Sequence, residues 1–140
     1  MPPGATVGVV VAPESEDSAV SRFVEKPWGG EEIFAETDRY VGKILTVRAG
    51  HALSLQYHEV KDETMRVLEG RCELQIGAHA GERQLESRLL GPGDTCHIAP
   101  GVLHRLIALT DVRLVEVSTP ELGDVVRLED RYGRSGTSAP

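Results

Sequence analysis

Apolar and polar residues alternate with a period of two through most of the chain, and glycine and proline punctuate the pattern every 8–12 residues or so. "FVEKPWGGEEIFAE" predicts two short strands broken by Pro27 and Gly29-Gly30, and "YVGKILTVRAG" a strand that stops at Gly50. "ALSLQYHEV" alternates strictly. "ETMRVLEG" and "RCELQIG" meet at Gly70 with hairpin character. "RQLESRLL" leads into the turn "GPGD", "TCHIAPG" is a short strand ended by Pro100-Gly101, and "LHRLIAL" and "VRLVEVS" flank Thr110-Asp111. No segment keeps a helical period over three turns. The pattern predicts an all-β, single-domain sandwich or barrel. Its expected boundaries are a disordered N-terminal arm at 1–20, a β-domain at 21–134 and a disordered tail at 135–140.

One strand breaks the apolar rule. In "LSLQYHEVKDETMRVLEG", Leu53, Leu55 and Tyr57 share one face and Ser54, Gln56 and His58 share the other. Gln56 and His58 therefore point the same way, about 7 Å apart along the strand. A turn through Lys61-Asp62 lets Glu63, Met65 and Val67 return on that face. An amide oxygen, an imidazole nitrogen and a carboxylate converging there are metal ligands, and His104, after "GDTCHIAPG", is the best fourth. Two neutral nitrogens and two oxygens suit one divalent ion: Zn, Mn, Fe, Co or Ni. His51, His79 and His97 read singly as surface or satisfied core residues, and Cys72 and Cys96 as small core residues.

Composition narrows the function. At 140 residues the chain holds one core. A net charge of −7 without a basic run excludes the usual nucleic-acid footprint. No apolar stretch approaches the ~20 residues of a membrane span. Two separated cysteines make no disulfide framework, which predicts a cytoplasmic protein with reduced thiols.

The ordered spacing Gly50-x5-Gln56-x-His58-x4-Glu63-x6-Gly70, then Gly93-x7-Gly101-x2-His104, resembles the two cupin motifs, with Gln56 in place of the first histidine. "EKPWGGEE", Lys43 with "ILTVRAGHALSLQYH", "GDTCHIAPGVLHR" and "VVRLEDRYGR" together resemble the type II phosphomannose isomerase cupin family, from about Val24 to Arg134. The resemblance implies a jelly-roll barrel, a metal on Gln56, His58, Glu63 and His104, a sugar-phosphate substrate and a homodimer. The chain departs from the family pattern at Glu59 and Val60, where histidines are common, at Met65 for an aromatic, and at Ala108 for an asparagine. The nucleotidyltransferase often fused to this domain is not represented; "GPGD" reads as a turn.

Isomerase chemistry also needs a cation for phosphate and a base. Lys43 and Arg105 are the expected catalytic cations, with Arg134 behind them. No residue stands out as the base. Two other readings remain: another metal cupin enzyme (dioxygenase, decarboxylase or lyase on a small acid), and a non-enzymatic sugar or small-molecule binder.

Overall fold

The computed structural model describes residues 21–134 and 136–137. The arm expected at 1–20 lies outside them. Among the described residues twelve strands run in order: β1 (Arg22–Lys26), β2 (Gly29–Glu36), β3 (Val41–Val47), β4 (Leu55–Tyr57), β5 (Glu63–Glu69), β6 (Cys72–Gly77), β7 (Glu86–Leu90), β8 (Thr95–Ile98), β9 (Leu103–Ala108), β10 (Val112–Ser118), β11 (Val126–Glu129) and β12 (Gly136–Thr137). β12 pairs with Val126 and Arg127, so part of the tail expected to be loose is strand. No helix of the described residues is long and apolar enough to cross a membrane.

The strands form two six-stranded antiparallel sheets, ordered β1-β2-β3-β10-β5-β8 and β12-β11-β4-β9-β6-β7. This is the expected all-β jelly-roll architecture. The hairpin expected at Gly70 is not there. β5 pairs with β10 and β8, and β6 with β9 and β7, so the chain changes sheets between them. The backbone at Gly70 has φ +83°, and a Cβ there would lie 2.0 Å from the Asp111 carbonyl oxygen. The corner therefore demands glycine sterically as well as conformationally.

The inner face of the first sheet changes character along its length. Val47 pairs with Val112, and Leu45 with Leu114, which also pairs with Val67. These residues join Trp28, Met65, Cys72, Leu74, Cys96, Ile98, Leu106 and Ala108 in the core. Further along the same face the rows become Lys43–Glu116–Met65 and Val41–Ser118–Glu63. The apolar core fills one end of the sandwich, and buried polar groups fill the other. Cys72 and Cys96 are buried free thiols, as their surroundings in the sequence suggest.

Candidate metal centre and its pocket

β4 ends one residue before His58, β5 begins at Glu63 and β9 carries His104. These three side chains offer ligand atoms within 4.8 Å of one another, and all three are buried. His58 Nε2 lies 3.2 Å from Glu63 Oε1, and His104 Nε2 lies 3.4 Å from the same oxygen.

The far side of each ring is pinned. His58 Nδ1 faces the Asp124 carbonyl oxygen at 2.6 Å, and His104 Nδ1 faces the Val102 carbonyl oxygen at 3.0 Å. A carbonyl oxygen can only accept, so each Nδ1 carries a proton and donates it. In the neutral ring Nε2 is then a bare lone pair, and two such lone pairs converge on a carboxylate oxygen. A cation between the three acceptors resolves the arrangement. Backbone carbonyls that fix the tautomer are the usual outer support of a metal-binding histidine. The donor set therefore fits a divalent metal.

Gln56 stands next to this triad. It pairs with His104 on one side and with Arg127 on the other, so Arg127, Gln56 and His104 form one inward row across the second sheet. The Ser54 hydroxyl donates to Gln56 Oε1 at 2.6 Å, which confirms their shared face. The register between β11 and β4 shifts after Arg127, a bulge beside the site.

The loop from His58 to Asp62 is held by the segment after β10. Asp124 accepts hydrogen bonds from the backbone N–H groups of Glu59 (3.0 Å), Val60 (2.7 Å) and Lys61 (2.9 Å). Burial alone would raise the Asp124 pKa, but these three donors hold it below the ordinary value. Gly101, at φ +84°, donates its N–H to the His58 carbonyl oxygen at 2.7 Å. The second glycine motif thus ties the two ligand-bearing segments together.

Beside the triad lies a charged network. Lys61 Nζ is 3.1 Å from Glu63 Oε2 and 3.0 Å from Glu116 Oε2, with Lys61 only 3% exposed. Burial would depress the lysine's pKa, and the two carboxylates lift it above the ordinary lysine value instead. Glu63 is pulled the other way. Burial favours its neutral form; against it stand the hydrogen bonds that His104 and His58 donate when Nε2 carries a proton, and the charge of Lys61, and these hold it well below the usual carboxylate range. Glu116 is raised by burial and by the neighbouring Glu63 charge, against the pull of Lys61 and Lys43. A second buried pair, Lys43 to Glu31 at 3.2 Å, completes the polar end.

These groups border an open pocket of about 460 Å³ including the solvent at its mouth. Lys26, Lys43, Lys61, Arg127 and Arg134 line it, against the carboxylates of Glu31 and Glu116. Trp28 is buried in the core and also forms part of this wall.

The expected cations divide. Lys43 is buried and faces the pocket, and so does Arg134. Arg105 does not. It follows His104 along β9, pairs in register with Gln75, and bonds Gln75 Oε1 (3.1 Å) and Glu129 Oε1 (3.3 Å) on the opposite face. Strand alternation places consecutive residues on opposite faces, so His104 inward means Arg105 outward. His97 is also outside, exposed and bonded to Asp62 at 2.6 Å. His51 bonds the Tyr132 hydroxyl at 2.8 Å and stacks on its ring, a satisfied residue as expected.

Lys26, Glu31, Lys61, Glu116, Asp124 and Arg127 went unnoticed in the sequence. Glu116 and Lys61 had a signal. In "VRLVEVS", Glu116 is in phase with Leu114 and Ser118, and Lys61 is in phase with Glu63. Asp124 had none, because its role depends on a loop packing across the site.

The fold and the buried histidine–glutamate–histidine cluster define a cupin-type jelly roll with a candidate metal-ligand set. Sequence comparison makes the family specific. The family described as mannose-6-phosphate isomerase C-terminal matches residues 13–130, and the chain belongs to it. It is 35% identical over 118 residues to the mannose-1-phosphate guanylyltransferase ManC of Salmonella typhimurium, covering 81% of this chain and 23% of the relative. It is 35% identical over 119 residues to the xanthan biosynthesis protein XanB of Xanthomonas campestris, covering 81% of this chain and 24% of that protein. The chain thus spans about a quarter of the length of these relatives. Among solved structures, the capsular polysaccharide assembling protein CapF of Staphylococcus aureus aligns with a TM-score of 0.66 at 18% identity, over 79% of this chain and 34% of CapF. Oxalate decarboxylase of Bacillus subtilis aligns with a TM-score of 0.66 at 16% identity, over 86% of this chain and 35% of the decarboxylase. At these identities the structural likenesses speak for the fold.

Proposed function

We propose that the protein is a metal-dependent sugar-phosphate isomerase of the mannose-6-phosphate type. The observation that carries this reading is the convergence of two lone-pair Nε2 atoms and Glu63 Oε1 at the edge of a cation-lined pocket. Family membership supports it. His58, Glu63 and His104 would hold one divalent ion, with Gln56 as a fourth ligand from the adjacent strand. The ion would supply a Lewis acid that polarises the sugar's carbonyl and hydroxyl oxygens.

The chain's own residues do the rest. Lys43 and Lys61 present ammonium groups to the pocket and stabilise negative charge as it develops on the sugar oxygens. Of the two pocket-lining carboxylates outside the ligand set, Glu31 is paired with Lys43 and Glu116 shares Lys61 with the ligand Glu63, so Glu116 is the one that would take the proton from C2 and return it at C1. Trp28, Leu45, Leu122 and Val125 line the pocket with apolar surface and limit water around that proton. Arg105 takes no part.

The buried free cysteines suit a reducing cytoplasm. A homodimer belongs to the same reading. Among the described residues β1 and β8 are edges of the first sheet, and Phe23 on β1 is 78% exposed. Light scattering at micromolar concentration would read a dimer mass; a monomer mass removes this part.

The test of function is a coupled assay for mannose 6-phosphate to fructose 6-phosphate on protein reconstituted with Mn, Co, Zn, Ni or Fe in turn. Turnover that depends on the metal and vanishes in Glu63→Ala supports the isomerase. No turnover with any metal, from protein that holds one, overturns it in favour of another metal cupin enzyme or a binder.

A further inference from the structure

The two sheets present unlike outer faces. On the second, Glu73, Gln75, Arg105 and Glu129 bond to one another and make a polar surface. The first sheet shows apolar groups to solvent. Phe23, Phe34, Leu68 and Val117 are exposed, and half-buried Ile44 and Val115 lie among them. They occupy the reverse side of the strands that bury Lys43, Glu63 and Glu116, because neighbours along a strand alternate faces.

The pairing orders this face. One row across the sheet reads Phe23, Glu32, Ile44, Val115 and Arg66. The row on one side reads Glu25, Gly30, Thr46 and Arg113, and Leu68 follows on β5, two residues along from Arg66. On the other side Gly42 pairs with Val117.

Hollows and projections lie on opposite halves. Gly30 has no side chain, and a groove of about 400 Å³ opens over it, walled by Phe23, Ile44 and Thr46. The Phe34 ring lies over Gly42, so near that a Cβ there would come within 2.6 Å of it, and the pair forms a flat apolar platform. Leu68 and Val117 project from β5 and β10.

These halves complement each other in two copies. Sheets pack face to face with their strands aligned to within about 30°. A twofold axis along the strands, midway between β3 and β10, sets β2 over the partner's β5 and β3 over the partner's β10. Ile44 then meets the partner's Val115. Val117 lands on the partner's Gly42 platform, and Leu68 enters the partner's Gly30 groove. Glu32 meets the partner's Arg66. Among the described residues neither Glu32 nor Arg66 has an ion-pair partner in its own chain, and the twofold supplies one to each. Six strands ~4.8 Å apart and about six residues long give a flat footprint of roughly 600 Å², which side-chain relief brings to the ~800 Å² per partner of a stable interface.

We propose that the outer face of the first sheet binds a second copy of this chain about that axis, with Ile44, Val115 and Val117 at the centre and Glu32 paired to the partner's Arg66. This rests on the homodimer reading and adds its surface and its symmetry. The partner leaves the pocket open, because the pocket's Lys43 and Glu116 belong to the inner face.

The test is sedimentation velocity over a concentration series, on the full chain, with each variant checked for a folded β-spectrum. Val117 is 53% exposed, so Val117→Glu should leave the fold intact. It and Glu32→Arg are each expected to raise the dimer dissociation constant at least tenfold. Glu32→Arg with Arg66→Glu is expected to restore dimerisation. Three strand spacings, ~14 Å, separate the two residues within one chain, so the restoration comes across the interface. A dimer that Val117→Glu and Glu32→Arg leave unchanged overturns this face and leaves the homodimer standing on another surface. Loss in Glu32→Arg without restoration in the double variant overturns the axis. A wild type that is monomeric at every concentration removes the homodimer and this face together. None of these masses depends on turnover, so the isomerase reading is judged separately.

Discussion

Asp124 supports the candidate metal centre without facing the pocket as a ligand, and its removal has a calculable effect. Its carboxylate accepts three backbone N–H donors from residues 59–61, the loop that follows His58. Asp124→Ala deletes all three acceptors but keeps the backbone carbonyl that holds His58 Nδ1. A hydrogen bond to a charged group contributes about 1.5–3 kcal/mol when sheltered, and the half-buried loop lets water replace part of that. A net of about 1 kcal/mol for each bond gives a loss of about 3 kcal/mol. In a domain of this size that lowers Tm by on the order of 10 °C. Loosening the loop also blurs the placement of His58 and Glu63, and loss of such support typically weakens metal affinity 10–100-fold. Thermal unfolding and a competitive metal titration measure the two effects on the same samples.

The effect has a pH signature. The folded-state pKa of Asp124 lies below its unfolded value, so its stabilisation is fully present above the unfolded pKa of about 3.9. That contribution is lost as the pH falls through this value toward the folded one. The stability gap between wild type and Asp124→Ala is therefore constant at pH 6–8 and closes below about pH 4. An Asp124→Ala protein with wild-type Tm and wild-type metal affinity would refute the reasoning.

Other expectations follow from single features. Arg105→Ala should leave kcat and KM for mannose 6-phosphate within about twofold, since its partners Gln75 and Glu129 lie on the outer face; a tenfold rise in KM would restore it to the site. Gly70→Ala should cost about 3 kcal/mol or more in urea unfolding, because both the positive φ and the Asp111 carbonyl oppose a side chain; an unchanged midpoint would contradict that corner. The Cys72 thiol is pushed up to about 11 by burial, with the nearby Asp94 adding to it, so it should resist iodoacetamide at pH 8 in the folded protein. Rapid labelling of Cys72 under native conditions would show an open core.

The alternation of "LSLQYH" and "ETMRV" was enough to place Gln56, His58 and Glu63 on an inner face, because period two is a local property of a strand. His104 followed from its motif. The same rule, applied one residue further, turns Arg105 outward, although its charge alone suggests a place in the site. The sheet change at Gly70 was hidden for a different reason. A glycine between two alternating segments reads alike whether the strands pair with each other or cross to opposite sheets, and only the long-range partners β8, β9 and β10 decide. Asp124 and Lys26 were invisible because their roles come from loop and edge-strand packing, which no spacing in the sequence encodes.

The central claim is that His58, Glu63 and His104 hold one metal ion through two Nε2 atoms and a carboxylate. The most direct test is the metal stoichiometry, by elemental analysis after equilibrium dialysis, of wild type, His58→Ala and His104→Ala, each checked for a folded β-spectrum. The account predicts one ion per wild-type chain and none retained by either folded variant. Full occupancy in folded His58→Ala or His104→Ala would contradict it.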